Sequence, residues 1–295
     1  MQSVQSAISA ASESLSPEQP YRVIRPGRSA SLFNFKEVWL YRDLIMALAV
    51  RDIKLRYRQT LLGAIWVVFQ PLMSAGIFTF IFTSLGNLKT EGNPFVFAFS
   101  GMLIYNVFSS VVGKTSNIMV ANNNLVSKVY FPRICLPLSA LPSVLVDLSV
   151  SFVVMLGLMF VFGQPLSIGV LLWPLVVALT MAFGLGFGLI AASLSVTYRD
   201  IQYIVPVIMS LTMYINPIGY SASNVTDSKN VSAFAKQLYF LNPFVEIINA
   251  SRYLLTGQGV VNPAGFVFSV VFTLVLMYLG LSCFRALERK FADVI

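Results

Sequence analysis

Gly113-Lys114-Thr115 ends like a phosphate-binding P-loop, the one place in this chain that imitates a nucleotide cradle. That loop needs a glycine five residues before its last one, and Phe108 stands there. It also needs a preceding strand, and an apolar run precedes it instead. No ATPase site is read from the sequence. There is no His among the 295 residues, which removes any His general base and any His-ligated metal site. Gly184, Gly186 and Gly188 resemble a dinucleotide fingerprint but sit inside an apolar run, where small residues bring helices close together. No catalytic and no metal-binding residues are expected. Cys135 and Cys283 both fall on the side expected to be cytoplasmic, so no disulfide is expected.

The remaining chemistry is charge and aromatic rings set in apolar surroundings. Asp147 lies within an apolar run, where a carboxylate marks function by default. A proton relay and a hydrogen bond to a neighbouring helix are both open to it. Arg51, Lys54 and Arg58 follow i, i+3, i+7 spacing on one helical face and suit anionic headgroups. The stretch 114–140 holds Leu125, Lys128, Tyr130, Phe131 and Arg133. Asn124 could cap a short helix there, ended by Pro132. Exposed rings beside cations would plug a groove on another protein; a plain structured loop is the alternative. Trp66 with Phe69, and Tyr105 with Phe108, are i, i+3 pairs, and Tyr214 is a fifth ring. Such rings can stack on the C–H faces of sugars, or simply pack.

Long uncharged runs position these residues. Hydrophobic residues make up 57% of the chain and charged residues 11%, with mean hydropathy +0.77. Soluble domains carry about a quarter charged residues. A span needs about 20 apolar residues in helix, and six runs qualify: 61–85, 95–113, 141–163, 168–196, 201–222 and 264–284. Lys and Arg alternate with them. Nine precede the first run, and others cluster between the second and third, between the fourth and fifth, and in the tail. Only Lys89, Lys229, Lys236 and Arg252 fall in the intervening segments. Basic residues stay cytoplasmic, so six spans with both termini inside are expected. The net charge of +8 is read as this topology signal, not as nucleic-acid binding.

The expected fold class is therefore an all-α polytopic membrane protein. Residues 1–33 read as a mobile polar extension and 34–60 as an amphipathic interface helix. Residues 61–295 read as a six-span domain with a short cytoplasmic helix. Asn242 with Pro243 and then Gly257 and Gly259 punctuate the segment before the last span. Two short helices there, 233–241 and the one begun by Asn242, suggest a re-entrant hairpin; a surface-lying amphipathic pair fits equally.

Several of these stretches are similar to one family. Residues 51–60 with Leu62-Gly63, Trp66 and Pro71 resemble the first-span start of bacterial ABC-type polysaccharide-export permeases. So do residues 124–133 with Leu136-Pro137, Tyr198-Arg199-Asp200, Asn242-Pro243-Phe244 and the tail from Glu288. The resemblance implies a homodimer bound to two copies of an ATP-binding subunit, which carries the ATP and Mg2+, in the bacterial inner membrane. It makes Leu125, Lys128, Tyr130, Phe131 and Arg133 the coupling contacts. It makes the outer hairpin, with Asn242, Pro243 and Arg252, an external gate. The expected cargo is a lipid-linked polysaccharide: O-antigen, capsule or teichoic acid. Its pyrophosphate would first meet Arg51, Lys54 and Arg58, and its glycan would pass the five rings. A permease for a small lipid or drug, and an ion-coupled carrier dependent on Asp147, remain open alternatives.

Overall fold

A computed structural model describes residues 35–57, 65–88, 90–129, 131–228 and 231–294, and every regular element in them is a helix. Helix α1 (Phe35–Leu40) breaks at Tyr41 into α2 (Arg42–Tyr57). Helix α3 (Ile65–Phe78) contains Pro71 and continues as a π-helix over Thr79–Leu85. Helix α4 (Pro94–Ala121) starts where the Asn93 side chain accepts the N–H groups of Phe95 and Val96, with proline at the first position. A six-residue helix, α5 (Asn123–Lys128), leads to α6 (Cys135–Val161). A 3-10 turn, Ile168–Leu171, precedes α7 (Trp173–Thr197). Then follow α8 (Ile201–Ile215), α9 (Ser223–Asp227), α10 (Ala233–Phe240), α11 (Pro243–Thr256) and α12 (Pro263–Val294).

Among the described residues, five helices are long and apolar enough to cross a membrane: Val68–Leu85, Pro94–Ala121, Cys135–Val161, Trp173–Thr197 and Pro263–Glu288. The fifth predicted run, 201–222, is helical only to Ile215. Its 15 residues extend about 22 Å, short of a hydrocarbon core of roughly 30 Å. The break has a local cause. Pro217 disfavours helical backbone at Asn216, and the Asn216 side chain turns back to donate to the Thr212 carbonyl at 2.6 Å.

Two predicted boundaries move. The stretch 114–140 is mostly helix, because α4 runs on to Ala121 and α6 begins at Cys135. Helix α4 continues past Lys114 because its polar groups find partners: Ser195 on α7 donates to the Ser116 carbonyl at 2.9 Å. The short helix takes its N-cap at Asn122, two residues earlier than Asn124, and ends at Lys128, with Val129 as its C-cap, before Pro132.

Helices α4 and α7 form the core, with 78% and 61% of their most apolar windows buried; those of α3, α6 and α12 are 17%, 28% and 22% buried. Close approach depends on glycine. A Cβ on Gly188 would meet Thr115 of α4 at 2.6 Å, and one on Gly280 would meet the Gly186 carbonyl at 2.6 Å. The glycine row of α7 is thus a packing surface on both sides.

Helix α2 packs along α6 through buried Leu48 and Ala49. It is less amphipathic than its spacing suggests. Met46, Val50 and Leu55 lie exposed with Arg51 and Lys54 along a groove of about 570 Å³ on its other side.

Candidate functional site

The charged residues gather at the end of the bundle that carries α5. Arg51 donates to Asp52 and, at 2.8 Å, to the side chain of Asn122, the N-cap of α5. Five residues later, Arg56 pairs with Asp147 on α6. Lys114 on α4 lies 3.5 Å from the same Asp147 oxygen and donates to Ser143 at 2.7 Å. Asp147 therefore has two cationic partners, the arrangement of an ion-paired brace between α2, α4 and α6. No local pattern in the sequence signals this meeting. Lys114 was expected in a loop, and Arg56 falls outside the i, i+3, i+7 row. Arg58 and Tyr130 lie outside the described residues, as do residues 1–34 and 58–64.

The connection between α4 and α6 divides its predicted contacts. Lys128 is exposed, with Asn123, Asn124, Ser127 and Val129 around it. Leu125 is half-buried against the core and Phe131 is buried in it. The Arg133 side chain donates to the Glu288 carbonyl on α12, and its backbone N–H donates to the Glu288 carboxylate at 3.4 Å. Phe131 and Arg133 therefore anchor the segment inward; they do not present an exposed plug. A ring beside a proline gains more from core burial than from water.

The five rings also divide. Tyr105 and Phe108 are buried. The Tyr105 hydroxyl contacts the Met209 carbonyl and lies 3.1 Å from Thr212 on α8. Phe108 packs on Phe244 of α11 at 4.6 Å and Phe183 of α7 at 5.3 Å between centroids. These two rings are packed into the core among the described residues. Trp66, Phe69 and Tyr214 stand exposed on α3 and α8, with Tyr214 stacked on Phe78 at 5.9 Å.

At the opposite end, Asn242, Pro243 and Arg252 grip three neighbours. Asn242 caps α11 by accepting the Phe244 N–H, and it donates to Asn216 at 3.0 Å. The Pro243 carbonyl accepts from Ser269 of α12 at 2.7 Å. Arg252 is 3% exposed, and its guanidinium lies 3.5 Å over the Phe97 ring of α4. It donates to the carbonyls of Pro217 (2.9 Å) and Ile218 (3.2 Å), with longer bonds to the Phe97 carbonyl and Ser100. Burial lowers its pKa to about 9, opposed by the charge of Glu91, so it stays charged at neutral pH. Burial also raises the Glu246 carboxyl above its usual range, against the Asn262 N–H that it accepts. Helix α11 is largely buried, whereas α10 exposes Phe234 and Leu238. Of the two short helices that the sequence suggests as a re-entrant hairpin or a surface-lying amphipathic pair, the buried residues are all on α11. Asn216 and Ser269 were the missed partners; Asn216-Pro217 was the available signal.

These elements define a multi-pass helical membrane protein with an ion-paired cluster at one end and a buried arginine at the other. The chain belongs to the ABC-2 type transporter family, which it matches over residues 43–256. It is 28% identical over 260 residues to the O-antigen export system permease protein RfbA of Myxococcus xanthus, covering 88% of this chain and 98% of that one. Identity to an RfbA permease of Klebsiella pneumoniae is 27% over 256 residues, covering 86% of this chain and 95% of that one. The polysialic acid transport protein KpsM of Escherichia coli is 24% identical over 258 residues, covering 83% of this chain and 93% of that one.

Proposed function

We propose that this chain is the transmembrane subunit of an ATP-driven exporter that carries a lipid-linked polysaccharide, O-antigen first among candidates, across the bacterial inner membrane. The observation that carries this reading is the near full-length similarity to permeases named for O-antigen export and polysialic acid transport. Two copies assemble with two ATP-binding subunits, which hold the ATP and Mg2+. Both termini lie in the cytoplasm, and α8 with the segment to residue 222 completes a sixth crossing. The rim of α5 around Lys128 meets the ATPase, while Phe131 and Arg133 brace that rim on the core and on α12. Movement passes from α5 through Asn122 and Arg51 into α2. Exposed Trp66, Phe69 and Tyr214 offer weak, repeated contacts to a passing glycan. Arg51 and Lys54 attract the carrier's phosphates from the cytoplasmic side, an attraction weakened by salt. Helices α10 and α11, held by Asn242 and Arg252, form the outer gate.

Reconstitution tests the reading. The chain with its copurifying ATPase, in proteoliposomes, is expected to move lipid-linked glycan only with ATP, and the glycan is expected to raise ATP hydrolysis. Transport by this chain alone without nucleotide would overturn it, and stimulation by a small lipid but by no glycan would replace the cargo.

A further inference from the structure

Asp147 answers two cations at once. Arg56 Nη1 and Lys114 Nζ both converge on its Oδ2 atom. A guanidinium has five N–H donors and an ammonium three. Among the described residues, Arg56 directs one bond to Asp147, and Lys114 directs one bond to Ser143 and its charge to Asp147. With Asp147 also within hydrogen-bonding reach of Lys114, these contacts leave most Arg56 donors and one Lys114 donor for a further partner among the described residues. Neither is sealed: the Arg56 side chain is 47% exposed and that of Lys114 is 32% exposed. The adjoining backbone leaves room, because a Cβ on Gly113 would meet no atom within 4 Å, and Gly113 and Asn117 are exposed on the same helix.

We propose that Arg56 and Lys114, aimed by Asp147, form a binding site for a phosphate group borne on a lipid. Three cations, Arg51, Arg56 and Lys114, against the two carboxylates of Asp52 and Asp147 leave excess positive charge, which favours an anion. Phosphate oxygens accept charge-assisted bonds from both types of donor. The site lies along α4 and α6, two helices apolar enough to cross a membrane, so the anion's carrier can lay its chain beside them. A soluble anion would find no such match. Asp147 is a positioning residue: it keeps the two cations from separating when the site is unfilled. The shared chemistry is a lipid phosphate, which an ordinary headgroup or the export cargo's diphosphate could supply. The assignment to cargo rests on the export reading above.

The full-length chain with its ATPase, in nanodiscs of phosphatidylcholine, can be titrated with a fluorescent short-chain polyprenyl diphosphate. Phosphatidylglycerol and inorganic pyrophosphate serve as competitors. Lys114→Gln and Arg56→Gln are each expected to weaken binding about tenfold or more, the loss typical of a charge-assisted bond. Lys114→Arg should retain it. Gly113→Leu should weaken binding with an unchanged Tm, since it fills open space and removes no ion pair. Asp147→Asn should weaken diphosphate binding by releasing Arg56 and Lys114 from their common anchor, and Asp147→Glu, which keeps the charge, should restore most of it. Unchanged affinity in both Gly113→Leu and Lys114→Gln overturns the site. Competition by phosphatidylglycerol at equal concentration supports the site and assigns it to bulk headgroups; resistance to that competition supports cargo. If the unsubstituted chain binds no phospholipid or diphosphate, the site is overturned, while ATP-dependent glycan transport still decides the export reading separately.

Discussion

Arg252 shows how a charge survives in the interior of this bundle. Removing a guanidinium from water costs several kcal/mol. Its carbonyl partners, at about 1.5–3 kcal/mol per charged hydrogen bond, and a desolvated ring contact worth about 2 kcal/mol offset that cost. Lysine cannot reproduce the forked donors or the flat stack on Phe97. Arg252→Lys is therefore expected to destabilise the chain by about 2 kcal/mol or more, seen as a lowered Tm in detergent. Lys128 should behave in the opposite manner. It is exposed, so Lys128→Glu should leave the Tm unchanged yet reduce glycan-stimulated ATP hydrolysis or ATPase copurification. Unaltered coupling would remove Lys128 from the contact. Arg133→Ala is expected to lower both stability and coupling, because it removes the guanidinium bond to the Glu288 carbonyl and leaves only the backbone N–H on the Glu288 carboxylate.

At the level of elements, the seam between α7 and its neighbours is set by missing side chains. Gly188→Leu forces a Cβ against the branched Thr115 side chain, and such overpacking costs about 1–3 kcal/mol. Thermal unfolding would register it, and an unaffected Tm would show that α4 can shift away. Helix positions were readable because length and continuous hydrophobicity speak for themselves. Asn242-Pro243 and Gly257 were readable as helix punctuation, and the structure places a cap and a left-handed glycine there. What could not be read were meetings between distant parts. Nothing local in Phe131 or Tyr105 says whether a ring faces outward or inward. Burial depends on which helix lies opposite, and that is decided by glycine contacts far along the chain. The Arg56–Asp147–Lys114 group was hidden for the same reason, since each member looks like a topology signal or a stray charge until three helices are assembled.

For the molecule as a whole, exposed apolar surface on α3 and α8 is extensive: Met73, Ile77, Val207 and Leu211 stand out beside Trp66 and Tyr214. In a single chain these faces can meet only lipid or another protein. Two copies per particle are expected by single-molecule photobleaching, and cysteines introduced at positions on α3 and α8 should cross-link between copies. Trp66→Ala is expected to slow glycan flux without releasing the ATPase, and wild-type flux would leave the ring to lipid contact. The centre of the bundle has a plainer consequence. Phe108, Phe183 and Phe244 fill the middle, with centroids 4.6 to 5.6 Å apart. A thread of sugars thick enough to need a duct has no bore to follow there. On the export reading proposed above, the glycan travels down the flank of the chain, and a second copy furnishes the opposite wall of its conduit.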